Sequence, residues 1–181
     1  MRYIAFFRGI NVGGKNIVKM ADLKQMFIEL GFGEVKTYIQ SGNVVFSSVE
    51  DEKSLISAVS EAFEKRFAFR SAIIIRSAEE IEQIINFKPF DDAEIDYARN
   101  QDAEVEHEYI YLSDETIDKC RVMQLCEGFT GEDKIYIAER EIYLLCCQSV
   151  RDSKLAIRLA KYSTPMTARN LKAMKKIAEI L

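Results

Sequence analysis

Apolar and aromatic residues run almost without interruption from Tyr3 to Ile10, a composition that predicts a β-strand. After a polar, glycine-containing stretch from Asn11 to Lys19, Leu23, Met26, Phe27 and Leu30 recur at helical spacing, and Gly31 supplies a stop. Val35 to Ser41 and Asn43 to Ser48 read as two strands joined by a tight turn, with Gly42 and Asn43 both tolerating positive φ. Ile56, Val59, Phe63 and Phe67 mark a second helix, and Phe69 to Arg76 a further strand. The order β-α-β-β-α-β is that of the ferredoxin-like fold, in which helices cover one sheet face and leave the other to be buried by something else.

Ser77 and Glu80 have capping-box spacing and predict a short helix carrying Ala78, Ile81 and Ile85. Asn86 to Glu106 is polar and acidic, contains Pro89, and reads as a linker. From His107 the order nearly repeats. A strand is expected over 107–112, a helix over 114–127 closed by Gly128, a hairpin over 133–139 and 141–147, and a helix over 152–162. Thr164 and Pro165 then predict the start of a last helix, with Thr167, Leu171, Met174, Ala178 and Leu181 on its inward stripe. The fold class expected is α+β: two tandem ferredoxin-like, βαββα-type halves (alpha-beta plaits) with antiparallel sheets and an extra C-terminal helix. The first half is placed at 1–86, the acidic linker at 87–106 and the second half at 107–181. The repeat is one of element order, with no match residue by residue.

The 181 residues, 48% of them apolar, suffice for a real core. Apolar runs such as Ala72 to Ile75 and Ile142 to Cys147 fall far short of the roughly 20 residues of a transmembrane helix. With no secretory pattern at the N-terminus, the expected location is the cytoplasm and no membrane partner is expected. Cys120, Cys126, Cys146 and Cys147 lack C-x-x-C spacing and are expected as buried, reduced thiols. With a single histidine, His107, neither a metal site nor a cofactor is indicated. His107 stands among acids without a positioned nucleophile, so a catalytic role for it is not supported.

Charge is unevenly spread around the net of −4. Asp91 to Asp118 holds eleven acids and one arginine, whereas Arg151 to Leu181 holds eight bases and two acids. A solvated acidic segment and a basic helix face account for this; a basic tail for an anionic partner is the alternative, and nucleic acid is disfavoured by the overall sign. The first half has the element order of an RNA-recognition fold, but Tyr3, Phe6, Phe7 and Phe46 do not reproduce its aromatic motifs.

Candidate chemistry concentrates in Arg8-Gly9-Ile10-Asn11-Val12-Gly13-Gly14-Lys15-Asn16. Gly9, Gly14 and Lys15 match G-x-x-x-x-G-K, but Asn16 stands where a P-loop needs a metal-binding hydroxyl, and the helix pattern begins only near Ala21. Two readings stay open: a backbone nest for an anion, assisted by Arg8 and Lys15, or a loop whose glycines only turn the chain. Gln40, Ser41 and Asn43 are either turn residues or part of a site. Arg169 and Asn170, at the edge of the last helix's stripe, either tie that helix to the domain or meet a ligand.

These same stretches carry a resemblance. Phe7 to Asn16 followed by Met20-Ala21-Asp22-Leu23, and Gly31-Phe32 leading to Thr37-Tyr38-Ile39-Gln40-Ser41-Gly42-Asn43-Val44-Val45-Phe46, are similar to the bacterial family known as domain of unknown function 1697. Pro89-Phe90, Ser153-Lys154-Leu155 and Thr167-Ala168-Arg169-Asn170 echo it further on. The resemblance implies paired ferredoxin-like halves and no activity. Where the family tends to have a tryptophan and then Asn-Thr, this chain has Leu171, Lys172 and Ala173. The expectation that follows is one site between the halves for an anionic or phosphorylated small molecule, formed by Arg8, Asn11, Gly13, Gly14, Lys15, Gln40, Asn43, Arg169 and Asn170. The alternatives are a nucleic-acid-binding module using Lys172, Lys175 and Lys176, and a scaffold whose polar residues only dock its halves. Reaction, ligand identity and oligomeric state are not set by the sequence.

Overall fold

Strand alternation organises the first sheet. The computed structural model describes residues 1–162 and 164–181. It divides into two units, Met1–Ile84 with Lys175–Leu181, and Ile85–Met174. In the first unit β1 (Arg2–Phe7), α1 (Met20–Glu29), β2 (Gly33–Tyr38), β3 (Asn43–Ser47), α2 (Glu52–Phe67) and β4 (Ile73–Ser77) follow the expected order. The antiparallel sheet runs β2-β3-β1-β4, the ferredoxin-like arrangement. Tyr3, Ala5, Phe7, Val44, Phe46, Ile73 and Ile75 face Leu23, Met26 and Phe27 of α1 and Leu55, Val59 and Phe63 of α2 in one apolar cluster. Most of its rings pack edge-on or tilted, with Phe7 and Phe63 centroids 5.0 Å apart and Phe27 and Phe46 5.1 Å apart. Each fully buried large side chain here stabilises the fold by about 1.5–3 kcal/mol. The opposite face is buried too: Ile4, Phe6, Val45 and Ile74 are wholly inaccessible.

Local chemistry sets the element ends. Asp51 caps α2 by accepting from the Lys53 and Ser54 amides, and Ala68 closes it in the left-handed conformation at φ 60°. The Ser77–Glu80 capping box forms as its spacing predicts: the Ser77 amide donates to Glu80 Oε2 (2.8 Å) and the Glu80 amide to Ser77 Oγ (3.2 Å). It opens α3 (Ala78–Asn86).

The second unit contains α4 (Asp92–Gln101), β5 (Glu108–Ser113), α5 (Lys119–Cys126), β6 (Lys134–Ile137), β7 (Glu141–Leu145), α6 (Lys154–Leu159) and β8 (Met166–Asn170). Its sheet runs β6-β7-β5-β8, also antiparallel, the same order as the first. A buried carboxylate knits it together. Asp133 accepts from the Cys147 amide (2.9 Å), the Gln148 side-chain amide (2.9 Å) and the Ser153 hydroxyl (2.7 Å), and Ser153 Oγ in turn caps α6 at the Ala156 amide.

Several expectations are corrected. The segment 87–106 is not a plain linker: Asp91 and Glu94 form a second capping box and start α4, which buries only Ala98. The last helix does not begin at Thr164. Met166–Asn170 is the edge strand β8, because hydrogen bonding to β5 outweighs the weak strand propensity of Ala168, Arg169 and Asn170. The helix that follows is α7 (Leu171–Ile180), so Thr167 belongs to the sheet. The helices of the second unit are shorter than their apolar periods suggest. Of the free cysteines, Cys146 and Cys147 are buried and Cys126 half-buried, but Cys120 is exposed at the start of α5.

Candidate functional site

Between β1 and α1 the chain folds back on itself in a miniature hairpin. The Lys15 amide donates to the Val12 carbonyl (3.0 Å) and the Asn11 amide to the Asn16 carbonyl (3.0 Å). Gly13 and Gly14 form the tip at φ 58° and 74°, the two consecutive positive values that a type I′ turn requires. Nothing lies within 4 Å of the position a Cβ would take at either glycine, so the tip stands clear of the fold.

Asn11 is the hub of this loop. It sits at φ 55°, a conformation that asparagine tolerates better than most residues. Its Nδ2 donates to the carbonyls of Val18 and Gln40 (both 2.9 Å), and its Oδ1 accepts from the Val18 amide (2.8 Å). Asn16 Nδ2 adds a bond to the Gly9 carbonyl (3.1 Å). The loop of residues 8–18 is thereby tied to the turn between β2 and β3. That turn has its own clasp, Asn43 Nδ2 donating to the Tyr38 carbonyl (3.1 Å) and Ser41 Oγ (2.9 Å). Gly42 seals the junction. At φ 75°, an added Cβ would lie 2.6 Å from Ile10 Cδ1 and 2.8 Å from Phe7 Cβ.

The first unit therefore brings together Arg8, Asn11, Gly13, Gly14, Lys15, Gln40 and Asn43. Arg8, Lys15 and Gln40 are exposed, whereas Asn43 is fully buried. No P-loop is present: the Lys15 amide is used by the turn, and α1 starts only at Met20, with no side-chain cap. Of the three asparagines expected to bind a ligand, the two in this unit, Asn11 and Asn43, use their side-chain amides to hold the loop and the turn.

Arg169 and Asn170 lie in the second unit. Arg169 Nη1 donates to Thr167 Oγ1 and the Ala168 carbonyl (both 2.8 Å), and desolvation lowers its guanidinium to a pKa of about 10. Asn170 Oδ1 accepts from the Ala173 amide (2.7 Å), making it the N-cap of α7. The bases of α7 are partly paired, Lys172 with Glu106 (3.3 Å) and Lys176 with Glu179 (2.8 Å).

Sequence reasoning missed two residues here. Ile39, half-exposed in the β2–β3 turn, holds φ 48°, an unfavourable conformation for a β-branched residue. Arg76 is 1% exposed in β4, 4.0 Å from Glu52 Oε1. The available signal for Arg76 was its position, directly before a helix-capping serine. Elsewhere in the first unit a shallow cavity of about 370 Å³ between α1 and α2 is lined by Met26, Leu30, Glu29 and Arg66, none of them singled out by the sequence. Among the described residues no cluster of histidine, cysteine or carboxylate is arranged to hold a metal, and no helix is long and apolar enough to cross a membrane.

The sequence profile described as "Protein of unknown function (DUF1697)" matches residues 1–143, which includes the whole loop, the turn and their Asn11 link. The chain belongs to the DUF1697 family. A solved structure from Streptococcus pneumoniae, described as the conserved bacterial protein SP0830, is similar at 27% identity with a TM-score of 0.76, over 99% of this chain and 97% of the other. No curated protein matches. As a DUF1697 protein this chain has the paired α+β halves that the resemblance implied, each with a four-stranded antiparallel sheet.

Proposed function

We propose that this DUF1697 protein is a cytoplasmic binder of an anionic, phosphorylated molecule, held at the glycine tip of the first unit. One observation carries the reading: the tip is exposed, yet it is built on a heavily hydrogen-bonded base. Three bonds from one asparagine side chain fix a loop that packs little of itself into the core. A connection that only had to turn the chain would not need this. Exposed residues positioned by rigid structure are the usual arrangement of binding loops. Gly13 and Gly14 allow an anion to approach backbone amides closely, and Lys15 and Arg8 supply charge. Arg169 and Asn170 are assigned supporting roles, as a half-buried strand residue and a helix cap. No reaction is assigned, since none of these groups is an activated nucleophile or a positioned base.

The test is a thermal-shift and calorimetric titration of the full chain with inorganic phosphate, pyrophosphate, nucleotides and sugar phosphates, beside Lys15→Ala. A ligand at about 100 times its dissociation constant raises stability by roughly 2.7 kcal/mol, several degrees for a chain of this size. A shift that Lys15→Ala reduces supports the reading; a flat screen of the wild type overturns it for these compounds. The nucleic-acid alternative is weakened at α7, where Lys172 and Lys176 are paired with Glu106 and Glu179.

A further inference from the structure

The surroundings of the glycine tip are as unusual as the tip. Val12 and Ile17 are each 65% exposed and Ile39 52%, in a protein whose other aliphatic residues are mostly buried. All three flank the same hub. Val12 follows Asn11, Ile17 stands between Asn16 and Val18, both bonded to Asn11, and Ile39 precedes Gln40, whose carbonyl Asn11 also holds. The unfavourable φ of Ile39 fixes an isoleucine at this surface where a glycine or asparagine would fit with less strain.

Charge along the chain follows the same segments. The segments 8–21 and 35–49 contain Arg8, Lys15, Lys19 and Lys36 and not one acidic residue, although the chain as a whole has 29 acids and a net charge of −4. These four cations are all exposed. No atom lies within 4 Å of the Cβ position at either glycine, so no neighbouring residue walls off the tip there.

Against the sequence expectation of no membrane partner, we infer that this loop docks on an anionic lipid surface, with Val12, Ile17 and Ile39 entering the headgroup–acyl boundary and Arg8, Lys15, Lys19 and Lys36 meeting headgroup phosphates. The inference rests on the anion-binding reading above and names the source of the anion. Charge complementarity selects the occupant: a cationic rim around exposed aliphatics matches a surface that is anionic outside and apolar beneath. Each cation close to such a surface strengthens binding by about fivefold, and the attraction is screened by salt. The unmodified loop thus supports reversible, peripheral attachment.

The test is co-sedimentation of the full chain with vesicles of phosphatidylcholine alone, and with vesicles containing about one third phosphatidylglycerol, at low and physiological salt. Binding to the anionic vesicles only, weakened about fivefold by Lys15→Ala and at least as strongly by Val12→Ser with Ile17→Ser, is the expected result. Both serine positions are solvent-exposed, and circular dichroism checks that the double variant folds. No association with anionic vesicles at low salt overturns the inference, as does binding that the serine variant leaves unchanged. If pyrophosphate binds in solution while vesicles do not, the lipid inference fails and the anion site stands. If neither binds, both fail.

Discussion

Arg76 and Arg169 occupy the same position in the two sheets. Arg76 pairs with Ile4 across β4 and β1, and Arg169 pairs with Ile110 across β8 and β5. The residue after each, Ser77 and Asn170, pairs with Tyr3 and Tyr109 respectively and caps the helix that follows. The repeat seen only as element order in the sequence is therefore a repeat of register. Each copy ends in arginine, cap and amphipathic helix.

This equivalence makes Arg76 a structural charge. Taking a guanidinium out of water is costly unless its partners stay in place, so truncating a buried ionic residue is far more damaging than truncating a surface one. Arg76→Ala is expected to lower stability by about 3 kcal/mol or more. Arg70→Ala, which removes a solvent-screened pair with Glu64, is expected to change stability far less. Urea titration of the two variants measures the difference, and equal midpoints would contradict the assignment.

The loop base predicts a second contrast. Asn11→Ala removes three hydrogen bonds and an asparagine from a left-handed position, for an expected loss of about 2 kcal/mol. Gly42→Ala adds strain at positive φ to overlap with Ile10 and Phe7, for a loss of about 2–4 kcal/mol. Gly13→Ala meets no neighbour and carries only the φ penalty, about 1 kcal/mol. The order of melting temperatures is the measurement.

Acid should loosen α4 early. The Lys134 side chain bonded to Glu94 holds that carboxyl below its ordinary 4.5, with help from the Asp91 amide. The folded value lies below the unfolded one, so this contribution is present above the ordinary carboxylate range and is lost as pH falls through the lowered value. Amide protection across 91–101, measured against the intrinsic exchange rate at each pH, is expected to fall on acidification below about pH 4.5, and Glu94→Gln to flatten that dependence.

His107 offers a further prediction. It is buried, with Nδ1 2.7 Å from the Cys146 carbonyl and Nε2 2.8 Å from the Asp102 carbonyl. The ring thus bridges the segment before β5 to the end of β7. His107→Ala removes both contacts and is expected to speed amide exchange around Asp102. Unchanged exchange there in the variant would contradict the role.

What was legible in the sequence was local. The Ser77–Glu80 box and the core stripe of α1 need only neighbours within a turn or two, and both are present. Strand β8 was hidden because Met166-Thr167-Ala168-Arg169-Asn170 lacks the residues that favour strands, and its partner β5 is distant in sequence. The cap of α7 was visible as a polar residue, but assigned to the body of a helix instead of its start. Asn11 was recognised as unusual, yet its role depends on Gln40, which spacing within the loop cannot reveal.

The division of the chain has a consequence for its synthesis. The first unit includes Lys175–Leu181, with Ile177 fully buried and the Ile180 carbonyl 3.5 Å from the Arg2 guanidinium. Those residues leave the ribosome only after every residue of the second unit has been made. A nascent chain can therefore finish the later unit before the earlier one, reversing the usual N-to-C order of folding.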